Sequence, residues 1–385
     1  MAYPAYDDLA REAAGKATLI KVDISHAPDI GPQYAIRATP TFITFLKGSR
    51  QESWSGANPA QLLAKVRALV DAAFPPHPHQ RLRLPTFLAT STQPVLFTKV
   101  PPLDKVTSKL GALARDPGVQ GAVHFIKARQ VAGAKEAPLP DLPAFRTFVR
   151  RSLVELPVEA RFASFDLFRM LAVDARAAGF FAGEPHCETV LALIEHVNAL
   201  AQTACPYSLR LVALQACCNC FSSPVFRHQG LQHDRLCDAL VALVAASLAE
   251  RQHATVRVAA ASAALNMATC LSLTRTTPAT TAAAAAEPTQ SAEPTVSEDG
   301  QVGLAAALLE ALAAERESAE AIRGMVLAVA RLAYCAPEGG EVLDLCRAMD
   351  AASVLGAAAG SAAKEDAELV REVATELMGK GLEPI

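Results

Sequence analysis

The spacing of apolar residues changes character along this chain. Up to about residue 70 it mixes two periods: a helical stretch from Tyr6 to Ala14, strand-length apolar runs at Leu19–Ile24 and Thr41–Leu46, and a closing helical stretch from Pro59 to Val70. That alternation predicts a small α/β region. The next segment, AAFPPHPHQRLRLP from Ala72 to Pro85, carries four prolines and two histidines. Such a composition opposes regular helix and predicts a semi-extended linker at a domain boundary, with its histidines exposed. From about residue 145 onward apolar residues recur at steps of three and four, as at Val190, Ile194, Val197 and Ala201, which predicts helix almost throughout, with Pro185 in the first turn of that one. Thr274–Gly300, TRTTPATTAAAAAEPTQSAEPTVSEDG, lacks the large apolar residues needed to offset the entropy of ordering and is expected to be a disordered loop.

The helical part repeats itself. LRLVALQACCNCF, from Leu209, aligns with VRVAAASAALNMATC, from Val256, so that Arg210 matches Arg257 and Asn219 matches Asn266, each 47 residues apart. A third copy, IRGMVLAVARLAYC from Ile322, regains a similar period once the low-complexity loop is left out, and Arg331 takes the asparagine position there. A helical period of roughly 40 to 47 residues is that of HEAT and armadillo arrays, whose units bury their apolar faces only by stacking into a solenoid. On one helix Ser208, Gln215 and Asn219 fall at steps of seven and four, and Thr255, Ser262 and Asn266 do the same on the next, so each triple faces one way. Asparagine amides on such a concave stripe can hydrogen-bond the backbone of an extended peptide, while arginines clamp carboxylates. Arg210 and Arg257 lie half a turn from those asparagines and are expected on the outer face.

Composition narrows the chemistry. With 51% hydrophobic and 19% charged residues the chain can bury a sizeable core, and a net charge of −3 gives no bulk attraction to nucleic acid or an anionic membrane. Apolar runs such as Ala239–Ala249 are shorter than the roughly 20 residues that span a bilayer, and the start lacks a signal-peptide pattern, which predicts a soluble protein. All nine cysteines lie at or after Cys187, within helical patterns, as reduced cytoplasmic or nuclear cysteines do. Cys217, Cys218 and Cys220 lack the second ligand pair that zinc needs and read as core. His186 and Cys187 would point about 100° apart on a helix, poor geometry for a base and its nucleophile. His77 and His79 could hold a metal only weakly, and no glycine-rich phosphate loop is present. Neither a catalytic residue nor a cofactor is expected.

Near the start, PAYDDLAREA, LIKVDIS, YAIRATPTFITFLKGSR and WSGAN resemble, in order, thioredoxin from its active-site helix to its last helix, over about 70 residues. The resemblance implies a cis Pro40 after Thr39, a hairpin turn at Gly48 and a bend at Gly56. It also implies a Cys-x-x-Cys at the start of the first matched helix, but Met1–Pro4 occupy that place, and thioredoxin's preceding central strand has no counterpart either. The region is therefore expected to be either a truncated chain or a fold closed across the gap, with Pro40 kept as structural scaffold.

The longer part resembles the PUL domain, an armadillo-like module. LFTKVPPLDKVTSKLGAL (from Leu96), FASFDLFRMLAVD (from Phe162), LRLVALQACCNCFSS (from Leu209), VRVAAASAALNMATCL (from Val256) and EAIRGMVLAVARLAYC (from Glu320) carry it. The resemblance implies binding of the acidic, aromatic-bearing C-terminal tail of the valosin-containing AAA ATPase, and a link to ubiquitin-pathway proteins. Arg169 and Arg323 match the basic positions of that pattern and are the first candidates for tail contact, with Asn219, Asn266, Arg331 and Gln215 lining the groove. The expected organisation is an incomplete thioredoxin-like α/β domain (1–70), a Pro/His linker (71–85) and an all-α armadillo-like solenoid (86–385) interrupted by a loop at about 274–300. The expected function is that of a non-catalytic adaptor in the cytoplasm or nucleus; the alternative is a thiol-disulfide oxidoreductase whose cysteines are missing from this chain.

Overall fold

A computed structural model describes residues 3–132, 137–201, 204–276 and 296–383. Two compact units part between Gln80 and Arg81. In the first, α1 (Tyr3–Glu12) and the single turn α2 (Ile30–Gln33) precede a hairpin of β1 (Thr41–Leu46) and β2 (Ser49–Ser55), followed by α3 (Pro59–Ala73). The hairpin turns on Lys47 and Gly48, whose φ values of 49° and 80° give the left-handed two-residue turn that matches strand twist. Asn58 starts α3, its Oδ1 accepting the N–H groups of Ala60 and Gln61 at 3.1 and 3.2 Å, with Pro59 behind it in the first turn. Leu9, Leu62 and Val66 form a small core, and Phe42 lies between Tyr6 (6.4 Å between ring centres) and Trp54 (5.4 Å). The Thr39–Pro40 peptide is cis, and the Pro40 carbonyl accepts the Gly56 N–H at 3.0 Å.

The run Leu19–Ile24, expected as a strand, is not one. Among the described residues no strand pairs with it, and its alternate side chains Ile20 and Val22 are 71% and 52% exposed. Alternation supplies the side-chain pattern of a strand, but the ladder needs a neighbour whose N–H and C=O groups are free to pair.

The proline-rich segment is not extended throughout. Pro78–Arg81 make a 3-10 turn, His79 is buried, and the His77 and His79 rings meet edge to face at 4.5 Å, so these histidines are not the exposed pair that composition predicts. Helix also begins well before residue 145. The second unit opens with α4 (Pro85–Leu88), runs extended through residues 90–102, and continues with α5 (Leu103–Lys109), α6 (Pro117–Ala132), α7 (Leu142–Glu155), α8 (Val158–Ala172) and α9 (Ala175–Ala182). Next come α10 (Glu188–Asn198), α11 (Tyr207–Cys220), α12 (Pro224–Gln229), α13 (Asp234–Leu248) and α14 (Ala254–Thr276). The last helices are α15 (Glu298–Ala314), α16 (Ala319–Ala333), α17 (Glu341–Ala348), α18 (Ala351–Ala358) and α19 (Ala367–Glu372).

Pro185 does not enter the following helix. His186 and Cys187 both take left-handed backbone (φ 54° and 50°), so Pro185–Cys187 form a separate turn, and α10 starts at Glu188. Val190, Ile194 and Val197 are buried as their spacing predicts, whereas Ala201 lies beyond the helix and is exposed. Of the expected disordered loop, 277–295 lies outside the described residues. Its two edges are helical, closing α14 and opening α15.

The repeats stack in two layers: α8, α11, α14 and α16 lie neighbour to neighbour in one, and α7, α10, α13 and α15 in the other. The three sequence copies are thus successive helices of a single layer. They approach closely because small residues meet. A Cβ built on Gly324 of α16 would sit 3.0 Å from that of Ala261 on α14. Helix α14, at 23 residues, is long and apolar enough to cross a membrane, contrary to the expectation that every apolar run is too short; 78% of its most apolar window is buried inside the protein, as in the core helix of a solenoid.

Candidate functional site

Pro94, Pro101 and Pro102 exclude helix from the segment between α4 and α5, which crosses the α8–α11–α14–α16 layer as an extended strap. Asparagine side chains hold it. Asn219 accepts the Phe97 N–H on Oδ1 (2.7 Å) and donates from Nδ2 to the Phe97 carbonyl (3.0 Å) and to the carbonyl of Arg169 on the neighbouring helix (2.9 Å). One repeat on, Asn266 treats Val95 in the same way, with bonds of 2.8 and 3.0 Å, while its Nδ2 also reaches the Cys218 carbonyl at 3.4 Å. Each amide therefore serves both backbone groups of one residue, as an adjacent strand would, and the two-residue step from Val95 to Phe97 matches the strand period.

Arginines hold the ends of the strap. Arg169 donates to the carbonyls of Phe97 (2.7 Å) and Lys99 (3.0 Å) and, through Nε, to Asp166 (2.7 Å). Burial pushes the Asp166 carboxyl up, against the opposing pull of the Arg169 charge and hydrogen bond. Arg331 donates to the Thr90 hydroxyl (2.8 Å) and carbonyl (3.3 Å), and its guanidinium lies 4.8 Å from the centre of the Phe87 ring. Burial lowers its pKa. Glu372 of α19 accepts the N–H groups of Thr86 (3.0 Å) and Phe87 (2.7 Å). From α4 to Lys99 the strap thus runs from the last repeats toward α8, opposite to the repeat order.

The expected open groove is already filled by the chain's own backbone. Asn219 and Asn266 are 0% and 2% exposed, and Arg169 and Arg331 are buried with them. Asn219, Asn266 and Arg331, named from the repeat, and Arg169, named from the family resemblance, all meet one extended peptide, which is the chain's own Thr90–Lys99. Gln215 is half-buried one turn before Asn219, and its side chain makes no hydrogen bond among the described residues. Arg323 stands apart from the strap, half-exposed, with Nε 2.8 Å from Asp366.

Arg210 and Arg257 are buried and not on a solvated outer face. The opposite side of these helices meets the second layer, where Arg257 pairs with Glu315 (2.5 Å) and Glu317 (3.0 Å). Burial raises the Glu315 pKa, but the bonds from Arg257 and from the Glu317 and Ser318 N–H groups prevail and hold the carboxyl below its usual range. All nine cysteines are free thiols. Burial pushes Cys187 up to about 11 and Cys217 and Cys237 to about 12, far from the range of a reactive thiolate. Among the described residues no group of three or more His, Cys, Asp or Glu side chains could hold a metal ion.

No sequence pattern marks a cavity of about 570 Å³ beside the strap, lined by Gln93, Pro94 and Leu96, by Arg129, Asp174 and Arg176, and by Arg227. Its charges come from three separate helices and the residue capping one of them, with no shared spacing. Only Asp174, which caps α9 by accepting the Arg176 N–H at 3.0 Å, left a local trace.

The family model described as the PUL domain matches residues 90–376, and the thioredoxin model matches residues 1–68. Several curated thioredoxins are similar to a short part of the chain. A chloroplastic M-type thioredoxin of Spinacia oleracea is 43% identical over 60 residues, covering 16% of this chain and 33% of the relative. Thioredoxin M5 of Oryza sativa is 39% identical over 66 residues, covering 17% and 38%, and thioredoxin 1 of a Nostoc strain is 32% identical over 66 residues, covering 17% and 62%. The chain thus spans between a third and two thirds of the length of these relatives.

Proposed function

Because the chain belongs to the PUL-domain family, we propose that it is a non-catalytic adaptor that binds the C-terminal tail of the valosin-containing AAA ATPase during ubiquitin-dependent protein processing in the cytoplasm or nucleus. The PUL domain is a protein-interaction module, and its match over 90–376 carries this reading. The geometry supports it: a layer of stacked helices whose asparagines and arginines already grip one extended peptide offers the tail a surface along the strap. Among the candidate arginines Arg323 has the donors least committed within the fold, and Arg169 acts through the strap. Binding of a labelled synthetic tail to the full chain, read by fluorescence anisotropy, tests the reading. Arg323→Ala is expected to weaken binding by about 1.5 to 3 kcal/mol without loss of stability, whereas Arg169→Ala weakens binding and stability together. No binding of the tail by the wild-type chain overturns the ATPase assignment.

The thioredoxin matches favour a second reading, a thiol-disulfide oxidoreductase. Against it, no cysteine precedes Cys187 in this chain. Insulin reduction by this chain would establish the second reading over the first.

A further inference from the structure

The cavity beside the strap carries an unbalanced charge. Asp174 is buried, and both its carboxylate oxygens are engaged by Arg176, through Nε and the backbone N–H at Oδ1 and through a terminal nitrogen at Oδ2, each at 3.0 Å. Arg129 comes no nearer to that carboxylate than 3.5 Å, and its Nε, buried from solvent, makes no hydrogen bond. The side chain of Arg227, half-buried on α12, has no hydrogen-bond or ion-pair partner among the described residues, and its Nε is likewise buried. Among the described residues, three guanidinium groups therefore share one carboxylate around this cavity, an excess of two positive charges in a partly desolvated place. A buried donor without an acceptor costs about 1 to 3 kcal/mol, and a carboxylate meets guanidinium donors with the strongest hydrogen bonds available to a side chain.

We propose that this cavity, framed by Arg129 and Arg227 beside the strap, is a binding site for the carboxylates of an acidic peptide segment. A volume of about 570 Å³ exceeds what a single small anion fills and suits two or three peptide side chains. Pro94, Leu96 and Val173 give the same cavity an apolar wall, so the segment it fits pairs acidic residues with a neighbouring apolar one. Because Pro94 and Leu96 belong to the strap, the bound segment lies beside the peptide that already fills the amide row and does not replace it. This inference rests on the adaptor reading for the identity of the acidic peptide, but not for the existence of the site.

Two probes keep the claims separable: the synthetic ATPase tail, and hexaglutamate with a hexaglutamine control, each titrated into the full chain and into an Arg129→Gln/Arg227→Gln variant. The expected result is that the variant binds the tail and hexaglutamate at least about tenfold more weakly, while hexaglutamine binds neither protein. An unchanged melting temperature shows that the variant remains folded; if it melts early, Arg227→Lys, which keeps the charge, should retain most of the affinity. Undiminished binding of both probes by a folded variant overturns the site and leaves the adaptor reading intact. Hexaglutamate binding that depends on these arginines, with no binding of the tail, keeps the site and overturns the assigned partner. Thermal stabilisation by inorganic phosphate, with no binding of either peptide, overturns the peptide assignment.

Discussion

At the scale of single residues, the asparagines are the most informative positions. Their spacing along two repeats showed which way they face, because steps of four and seven hold a residue on one side of a helix. It could not show what they face, since Thr90–Lys99 has no periodicity of its own and meets them only 171 and 122 residues away in sequence. Asn219→Ala would leave the Phe97 N–H without its acceptor, remove the amide's bond to the Arg169 carbonyl, and leave the Phe97 carbonyl only its bond from Arg169. The expected cost is about 2 to 3 kcal/mol in chemical denaturation of the full chain, with Asn219→Asp recovering only the part due to the acceptor. Arg257 shows the opposite difficulty. Half a turn from an inner face looks like solvent in a single helix, but in a two-layered stack it is another interior. Its partner Glu315 has a carboxyl pKa below the ordinary value of about 4.3, so the pair's contribution is fully present above that value and is lost as pH falls through the lower folded value. Glu315→Gln should therefore cost about 3 kcal/mol at pH 7, and its deficit relative to wild type should narrow as denaturation is repeated at successively lower pH below about 4.

At the scale of elements, the helices were legible and the strap was not. Three copies of one amphipathic pattern, 47 residues apart in the first two, predicted the stacked layer before any contact was known. The strap escaped because an extended segment leaves a signature only when it alternates, and TSTQPVLFTKV does not. Leu19–Ile24 alternates well yet joins no sheet, which shows that side-chain pattern and ladder are separate requirements. The strap is held through its main chain, so its response to substitution should be sharply positional. Val95→Pro removes the N–H that Asn266 accepts and should destabilise the second unit by about 2 kcal/mol, whereas Thr98→Ala, at an exposed position, should lie within about 0.5 kcal/mol of wild type. Equal effects at the two positions, measured by urea denaturation, would show that the amides do not read the backbone.

At the scale of the whole molecule, the two units differ in how completely they cover apolar surface. Among the described residues the second buries a continuous core, while the first has a cluster of three buried residues and leaves Ile20 and Val22 open to solvent. Exposed apolar side chains outside a paired sheet favour association between copies. Val22→Lys should leave the melting temperature unchanged and raise the concentration at which the protein begins to self-associate in light scattering. An unaltered onset would show that this stretch takes no part in self-association.

The strap has one more consequence, which concerns length. Glu372 fastens one end at Thr86 and Phe87, and Arg169 fastens the other at Lys99. The dozen or so peptide units between them act as a fixed gauge laid across four helices, so the bow of the superhelix cannot open or tighten without pulling the chain out of step with its fastenings. An array of repeats is ordinarily a spring. Here a single extra amino acid between Val95 and Phe97 would alter the curvature of the whole arc.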